Sequence, residues 1–370
     1  MKKHLNTILS LLILLSFFSC KNKEAKEASQ LIDVSNSIVT PNHYIVSKTK
    51  EKIVIDGLAD ESSWQSASFT DSFIDIEGIK IPKFDTKVKM LWDEEYLYVY
   101  SQMVEPHVWG NLKQRDTVIF YNNDFEIFVD PSGTATNYIE IEINALGTVW
   151  DLALDKPYRV GGNANDDWNI EGLKSAVHIQ GTLNKPNDTD TQWSVEFAIP
   201  LKKLAEQKHL NHNIPVDGEQ WRINFSRVEW EHDLVDGKYQ RKKENGKYLS
   251  EYNWVWSQQK VINMHEPEKW GVLQFTEKAN SKSVNFNADK DGHVKQIAYA
   301  LFRDIRFGAS KALQEKEAGY TQNIKAQYAV NQFIDTKFVK TKAGFSITIQ
   351  NPETKTIFII NEEGVLKPGA

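Results

Sequence analysis

Between Tyr44 and Phe275 apolar side chains recur at alternate positions, and the spacing of about 3.6 residues that marks an amphipathic helix is nearly absent. Tyr138 to Asn144 is the clearest instance: Ile139, Ile141 and Ile143 point one way, and Tyr138, Glu140, Glu142 and Asn144 the other. Asp124 to Asp130 repeats it, with Phe125, Ile127 and Val129 set against Asp124, Glu126, Phe128 and Asp130. Thr86 to Gln102 reads as a hairpin turning at Asp93-Glu94-Glu95, with Val88, Met90, Trp92, Leu97 and Val99 as its apolar set. Alternation sorts side chains onto opposite faces of a sheet, so each segment demands a core on one side. Further strands are expected at 53–55, 148–154, 175–183, 192–199, 220–230 and 272–275. Many short strands with polar turns predict an all-β chain, an antiparallel β-sandwich of jelly-roll or immunoglobulin-like type.

Both ends of the chain differ from this pattern. Met1-Lys2-Lys3-His4 is a basic head, and Ile8 to Phe18 is an apolar run followed by Ser19-Cys20. Such a run is too short for a hydrocarbon core of about 30 Å, which needs about 20 residues, so it reads as a secretory signal over 1–19. Cysteine at the cleavage point resembles a bacterial lipoprotein signal, although Phe17 and Phe18 stand where the usual motif has leucine and a small residue. The resemblance implies acylation of Cys20 and a lipid anchor at the outer membrane or cell surface of a Gram-negative bacterium. Cys20 is the single cysteine; once it is acylated, disulfides, zinc–thiolate sites and cysteine nucleophiles are excluded. Residues 20–43 carry charge without a dense apolar pattern and read as a tether.

At the other end, 281–370 is expected to be a small helix-plus-hairpin appendage. Val294, Ile297, Ala298, Leu301, Ile305 and Leu313 mark one helix over 293–317, a second helix is expected over 320–333, and strands at 345–350 and 356–360 flank Asn351-Pro352. Nothing there connects to chemistry. The net charge is −6, without a basic run beyond the N-terminal head, which excludes nucleic acid as a partner.

All eleven tryptophans lie between Trp64 and Trp270. In Asn253-Trp254-Val255-Trp256 the two indoles leave one strand face, either as a stacking platform for a sugar ring or as a core layer. Trp64, Trp92, Trp193, Trp221 and Trp270 read as core. Arg227 continues the apolar face of Trp221, Ile223 and Phe225, so it must find a carboxylate or emerge at the sheet's end. Asn123, Asp124, Glu126 and Asn144 are polar groups on strands that either face solvent or line a concave surface.

The motifs occur in a recognisable order: Ile55-Asp56-Gly57 with Glu61 and Trp64; Met90-Leu91-Trp92-Asp93 with Tyr96-Leu97-Tyr98-Val99; and Asn123-Asp124-x-Glu126-Ile127-Phe128-Val129-Asp130-Pro131. Later come Trp193-x-Val195-Glu196 with Ile199-Pro200, Trp221-Arg222-Ile223-Asn224-Phe225-x-Arg227, and His265-x-Pro267 with Trp270-Gly271. Over 44–277 this resembles the family 9-like carbohydrate-binding modules, in the DOMON-like group of β-sandwiches. The resemblance implies non-catalytic binding of a glycan or oligosaccharide in support of polysaccharide capture and carbohydrate catabolism, with structural calcium as the possible cofactor. Its implied ligand residues are Trp254 and Trp256 as stacking groups, and Asn123, Asp124, Glu126, Asn144 and Arg227 as hydroxyl-binding groups.

Two other readings remain open on the sequence. The same sandwich could be a structural or protein-interaction module, its ligand face filled by the C-terminal helix. Or a pair among Glu126, Glu140, Glu142 and Glu196 could serve a glycoside hydrolase acting on O-glycosyl compounds, which needs carboxyls flanking the bond. The loop at 161–168, with Asn163, Asn165, Asp166 and Asp167, offers oxygen donors for calcium but not in EF-hand spacing.

Overall fold

The computed structural model describes residues 29–207 and 214–369; the signal segment 1–19 and Cys20 lie outside the described residues. One sheet of thirteen strands dominates. In spatial order its main path is Lys174–Gln180, Gln192–Pro200, Tyr96–Val104, Thr86–Trp92, His43–Lys48, Gly271–Thr276, Gln220–Glu229, Asp124–Asp130, Tyr138–Asn144, Val149–Leu154 and Ala164–Asn165. Tyr252–Val255 pairs with the far end of Gln220–Glu229 and with Ile74–Asp75.

The sheet curls so that its inner face closes on itself. Val46, Val88, Val99 and Phe197 from one half share a core with Ile127, Ile141, Phe225 and Leu273 from the other. That is the expected β-sandwich, and the alternation in Tyr138–Asn144 and Asp124–Asp130 assigns the core side as read from sequence. One strand departs from a purely antiparallel plan: His43–Lys48 pairs parallel with both Gly271–Thr276 and Thr86–Trp92. Parallel neighbours need a long connection, and residues 49–85 provide it. Within that connection 53–55 is not a strand; Ile53 packs instead with Trp64, Leu91, Tyr98 and Tyr100.

The C-terminal part is larger than a helix and a hairpin. Gly292–Phe307 is the expected helix, with Val294, Ile297, Ala298, Leu301 and Ile305 buried, but it ends at Gly308 and Leu313 packs from the separate turn Lys311–Glu315. The second helix does not form. Thr321–Ala329 and Gln332–Lys340 are an antiparallel pair turning near Asn331, which has φ +56°. Ile324 and Ala326 alternate inward, a period of two that the small alanine side chains disguise. The tether also ends earlier than expected, because Gln30–Asp33 adds to this sheet in parallel with Thr321–Ala329 and buries Ile32. Six strands result, in the order Gln30–Asp33, Thr321–Ala329, Gln332–Lys340, Phe345–Gln350, Ile357–Asn361, Leu366–Pro368. The helix covers this sheet and docks on the sandwich through Arg303, which lies 3.2 Å from Glu266 and 2.5 Å from Glu268.

Candidate functional site

The register of four neighbouring strands builds an acidic floor on the outer face of one half-sheet. Ser226, Glu126, Glu142 and Trp150 form one row across Gln220–Glu229, Asp124–Asp130, Tyr138–Asn144 and Val149–Leu154. Asn224, Phe128, Glu140 and Leu152 form the next row. Antiparallel pairing brings directly opposed side chains to about 5 Å, so carboxylates that alternate along two strands are gathered into one patch. The walls come from elsewhere in the chain: Phe120 on one side, Tyr158, Met264 and His265 on another, with Glu251 at the rim of an open cleft of about 230 Å3.

Burial dominates the electrostatics. Removing a carboxylate from water favours its neutral form, and it pushes Glu126 up to about 7. Asp124, Glu140 and Glu142 are raised well above the usual carboxylate range, by burial first and then by a neighbouring carboxylate, Glu126 for Asp124 and Glu140, and Asp124 for Glu142. Glu142 accepts the Phe120 backbone N–H at 3.0 Å, which ties the wall to the floor. His265, bonded through Nδ1 to the Tyr138 hydroxyl at 2.9 Å, is held neutral, its pKa lowered to about 4 by burial and then by Arg159. Tyr158 packs edge-on against His265 and is 43% exposed. The buried Trp150 Nε1 has no acceptor among the described residues.

Asp124, Glu126 and Glu142 each present a carboxylate oxygen, and these lie within 4.8 Å of one another. Asp124 Oδ1 accepts the Val228 N–H at 3.3 Å, while its buried Oδ2 has no partner among the described residues. Calcium takes oxygen ligands at about 2.3–2.6 Å, so opposed oxygens at this spacing fit a hard divalent cation. Asp166 and Asp167, in the loop expected to offer calcium ligands, are exposed and outside this group.

Trp254 and Trp256 do leave the same face, but it is the inner one, and their assignment as a stacking platform is corrected. They are 1% and 2% exposed. Trp254 meets Phe84 edge-on at 6.0 Å, and the Trp256 ring fills the space a Cβ would occupy at Gly271. Arg227 is likewise structural. Its buried guanidinium bonds the buried Glu105 at 2.8 Å and Glu229 at 2.9 Å, and the Val104 carbonyl at 2.9 Å. Asn123 is committed to Glu229 Oε1 at 2.9 Å and to the Trp230 N–H at 2.8 Å. Asn144 closes its own turn by accepting the Leu146 and Thr148 N–H groups, and it donates to the Leu112 carbonyl at 2.8 Å. Of the seven expected ligand residues, Glu126 lines the cleft and Asp124 lies beneath it. Trp150, Tyr158 and Phe120 were not singled out from sequence. Trp150 was findable, because it stands directly across from Glu142 once the strands are paired.

A family model described as "Carbohydrate family 9 binding domain-like" matches residues 55–278. A stretch of 167 residues is 25% identical to endo-1,4-beta-xylanase C of Paenibacillus barcinonensis, covering 45% of this chain and 13% of that enzyme. The chain thus spans a small part of that relative's length. Among solved structures, a carbohydrate-binding module of family 9 from Caldicellulosiruptor kristjanssonii in complex with cellotriose is similar with a TM-score of 0.42 and 16% identity. That likeness covers 67% of this chain and all, 100%, of the module. The same organism's module in complex with glucose gives 0.40 and 15%, over 66% and 100% of the two chains.

Proposed function

We propose, from the fact that the chain belongs to the carbohydrate family 9 binding domain-like family, that the acidic cleft holds a carbohydrate without cleaving it. One observation carries this reading: half-buried aromatic rings and the carboxyl groups of Glu126, Glu140, Glu142 and Glu251 converge on one open concavity. Trp150 and Tyr158 offer faces for the C–H side of a sugar ring, and burying that face excludes water. Glu126, Glu140 and Glu142 accept hydrogen bonds from hydroxyls, which pay least where the acceptor is already desolvated. The unpaired Trp150 N–H is a further donor.

The same geometry disfavours hydrolysis. Glu126, Glu140 and Glu142 rise from one face of adjacent strands, a floor below a ligand, whereas glycosidases set two carboxyls on either side of the scissile bond. The interaction-module reading needs the C-terminal helix over the ligand face. Gly292–Phe307 instead packs on its own sheet, and none of its residues lines the cleft. Acylation of Cys20 would place the cleft outside the cytoplasm, at the outer membrane or cell surface. There it would capture glycan for catabolism by other proteins, with avidity gained from many copies on one surface.

The test is intrinsic fluorescence across a panel of mono-, oligo- and polysaccharides, using the full chain and Trp150→Phe. A ligand that quenches the wild-type protein should leave the variant's signal little changed. A folded protein that responds to no saccharide would overturn the reading.

A further inference from the structure

A second concavity, of about 730 Å3, opens on the other side of the segment that carries Phe120. Phe120 borders the acidic cleft, and its neighbour Tyr121 borders this one. The two differ in charge. Lys113, Lys238 and Arg241 line the second cleft, and no carboxylate does.

Two tight hairpins build it. His232–Val235 pairs with Lys238–Arg241 around Asp236-Gly237, both residues at positive φ, of 52° and 72°. Lys243–Glu244 then pairs with Lys247–Tyr248 around Asn245-Gly246, at 51° and 80°. Two-residue loops with both central φ values positive match the right-handed twist of a hairpin and fix its register. They bring Arg241 and Tyr248 together over Tyr121.

Arg241 is caged by rings. Its guanidinium carbon lies 4.2 Å from the Tyr248 ring centre, 4.4 Å from Tyr121 and 4.6 Å from Trp230. The rings attract the cation but carry no carboxylate or carbonyl to take up its N–H donors. No hydrogen bond or ion pair takes up those donors among the described residues. The contrast with Arg227 is direct, since that guanidinium spends its donors on Glu105, Glu229, Thr86 and a carbonyl. Tyr121 and Tyr248 are 45% and 50% exposed, which leaves large rings open beside an unpaired planar cation.

We infer that this cleft binds an acidic glycan, gripping the carboxylate or sulfate of one sugar through the edge of Arg241. A planar guanidinium matches such an anion with two parallel hydrogen bonds. Lys113 and Lys238 add field without fixed geometry, and Tyr121 or Tyr248 takes the apolar face of the sugar ring. The inference rests on the carbohydrate-binding reading but not on the acidic cleft being its site.

The experiment is titration calorimetry of the full chain with oligogalacturonate, with its methyl-esterified counterpart, and with a sulfated galactan oligosaccharide. Oligogalacturonate should bind and the ester should not, with affinity falling as salt rises. A stronger response to the sulfated ligand would assign the anion as sulfate and a stronger response to the uronate as carboxylate. Arg241→Ala should weaken binding by about ten- to a hundredfold, the loss of one charge-assisted pair. Because Arg241 helps hold the rings, Lys113→Ala with Lys238→Ala serves as a second variant; both lysines are exposed, and the pair should lower affinity and flatten the salt dependence with the fold intact. Equal affinity for the acid and its ester, or unchanged binding in both variants, would overturn the inference. Failure of every acidic ligand while a neutral glycan binds would sink this site alone. Failure of all glycans would sink the carbohydrate-binding reading with it.

Discussion

Glu126 and Glu142 stand directly opposite each other on adjacent antiparallel strands, and both are buried. Like charges in that position oppose pairing, and neither residue meets a lysine or arginine in any described ion pair. A sheet tolerates such a pair only with protons or a cation between the carboxyls, so burial in the floor of the cleft favours their protonated forms.

The first prediction concerns pH. A carboxyl whose folded pKa lies above its unfolded value binds more protons when folded, so stability is greatest at acid pH and falls as pH rises through the folded value. For Glu126 that window runs from the ordinary glutamate range to about 7, and Glu142 extends it upward. The melting temperature should therefore fall between pH 5 and pH 8. Glu142→Gln should flatten that slope and melt higher at pH 8, by about 2–4 °C for each kcal/mol relieved. An identical slope in the variant would refute the assignment.

Calcium makes a second prediction. The Asp124, Glu126 and Glu142 oxygens should bind it best at pH 8, where they are most charged, and binding to the folded state raises the melting temperature. Millimolar calcium should stabilise the wild-type protein and have little effect on Asp124→Asn. Equal shifts in both proteins would place any calcium elsewhere.

Trp254 and Trp256 should behave as core residues. Replacing either with alanine should cost about 3–5 kcal/mol in urea denaturation, by leaving a cavity against Phe84 or Gly271. Folded, fully stable variants that lose glycan binding would restore the platform.

Arg227→Met should be comparably damaging, about 3–5 kcal/mol at neutral pH, because it strands Glu105 and Glu229 in the interior. Burial and then Glu105 already raise Glu229 well above the usual range. The loss should therefore shrink toward pH 5, where the stranded Glu229 takes up a proton. Denaturation curves at both pH values measure it.

Alternation made the sandwich legible, and the motif order made its family legible, because both depend on local sequence. The site was less legible because it depends on pairing. Glu126, Glu142 and Trp150 lie on three successive strands, and only the register says that they stand side by side, while Tyr158 and His265 join them from other parts of the chain. Trp254 and Trp256 were read to the correct common face, but alternation alone cannot say which face is inner. The strand at Gln30–Asp33 looked like tether because its partner lies at Thr321–Ala329. The Asp236-Gly237 and Asn245-Gly246 turns were strong local signals, and they mark the hairpins that hold Arg241.

The central claim is that the acidic cleft is the carbohydrate site. It is tested most directly by titration calorimetry with the best saccharide from the panel, comparing wild type, Tyr158→Ala and Glu126→Gln. Both substitutions should weaken binding by about tenfold or more, the loss of a stacking face or of a charge-assisted hydrogen bond, while the melting temperature of Tyr158→Ala stays near that of wild type. Unchanged affinity in both folded variants would contradict the account.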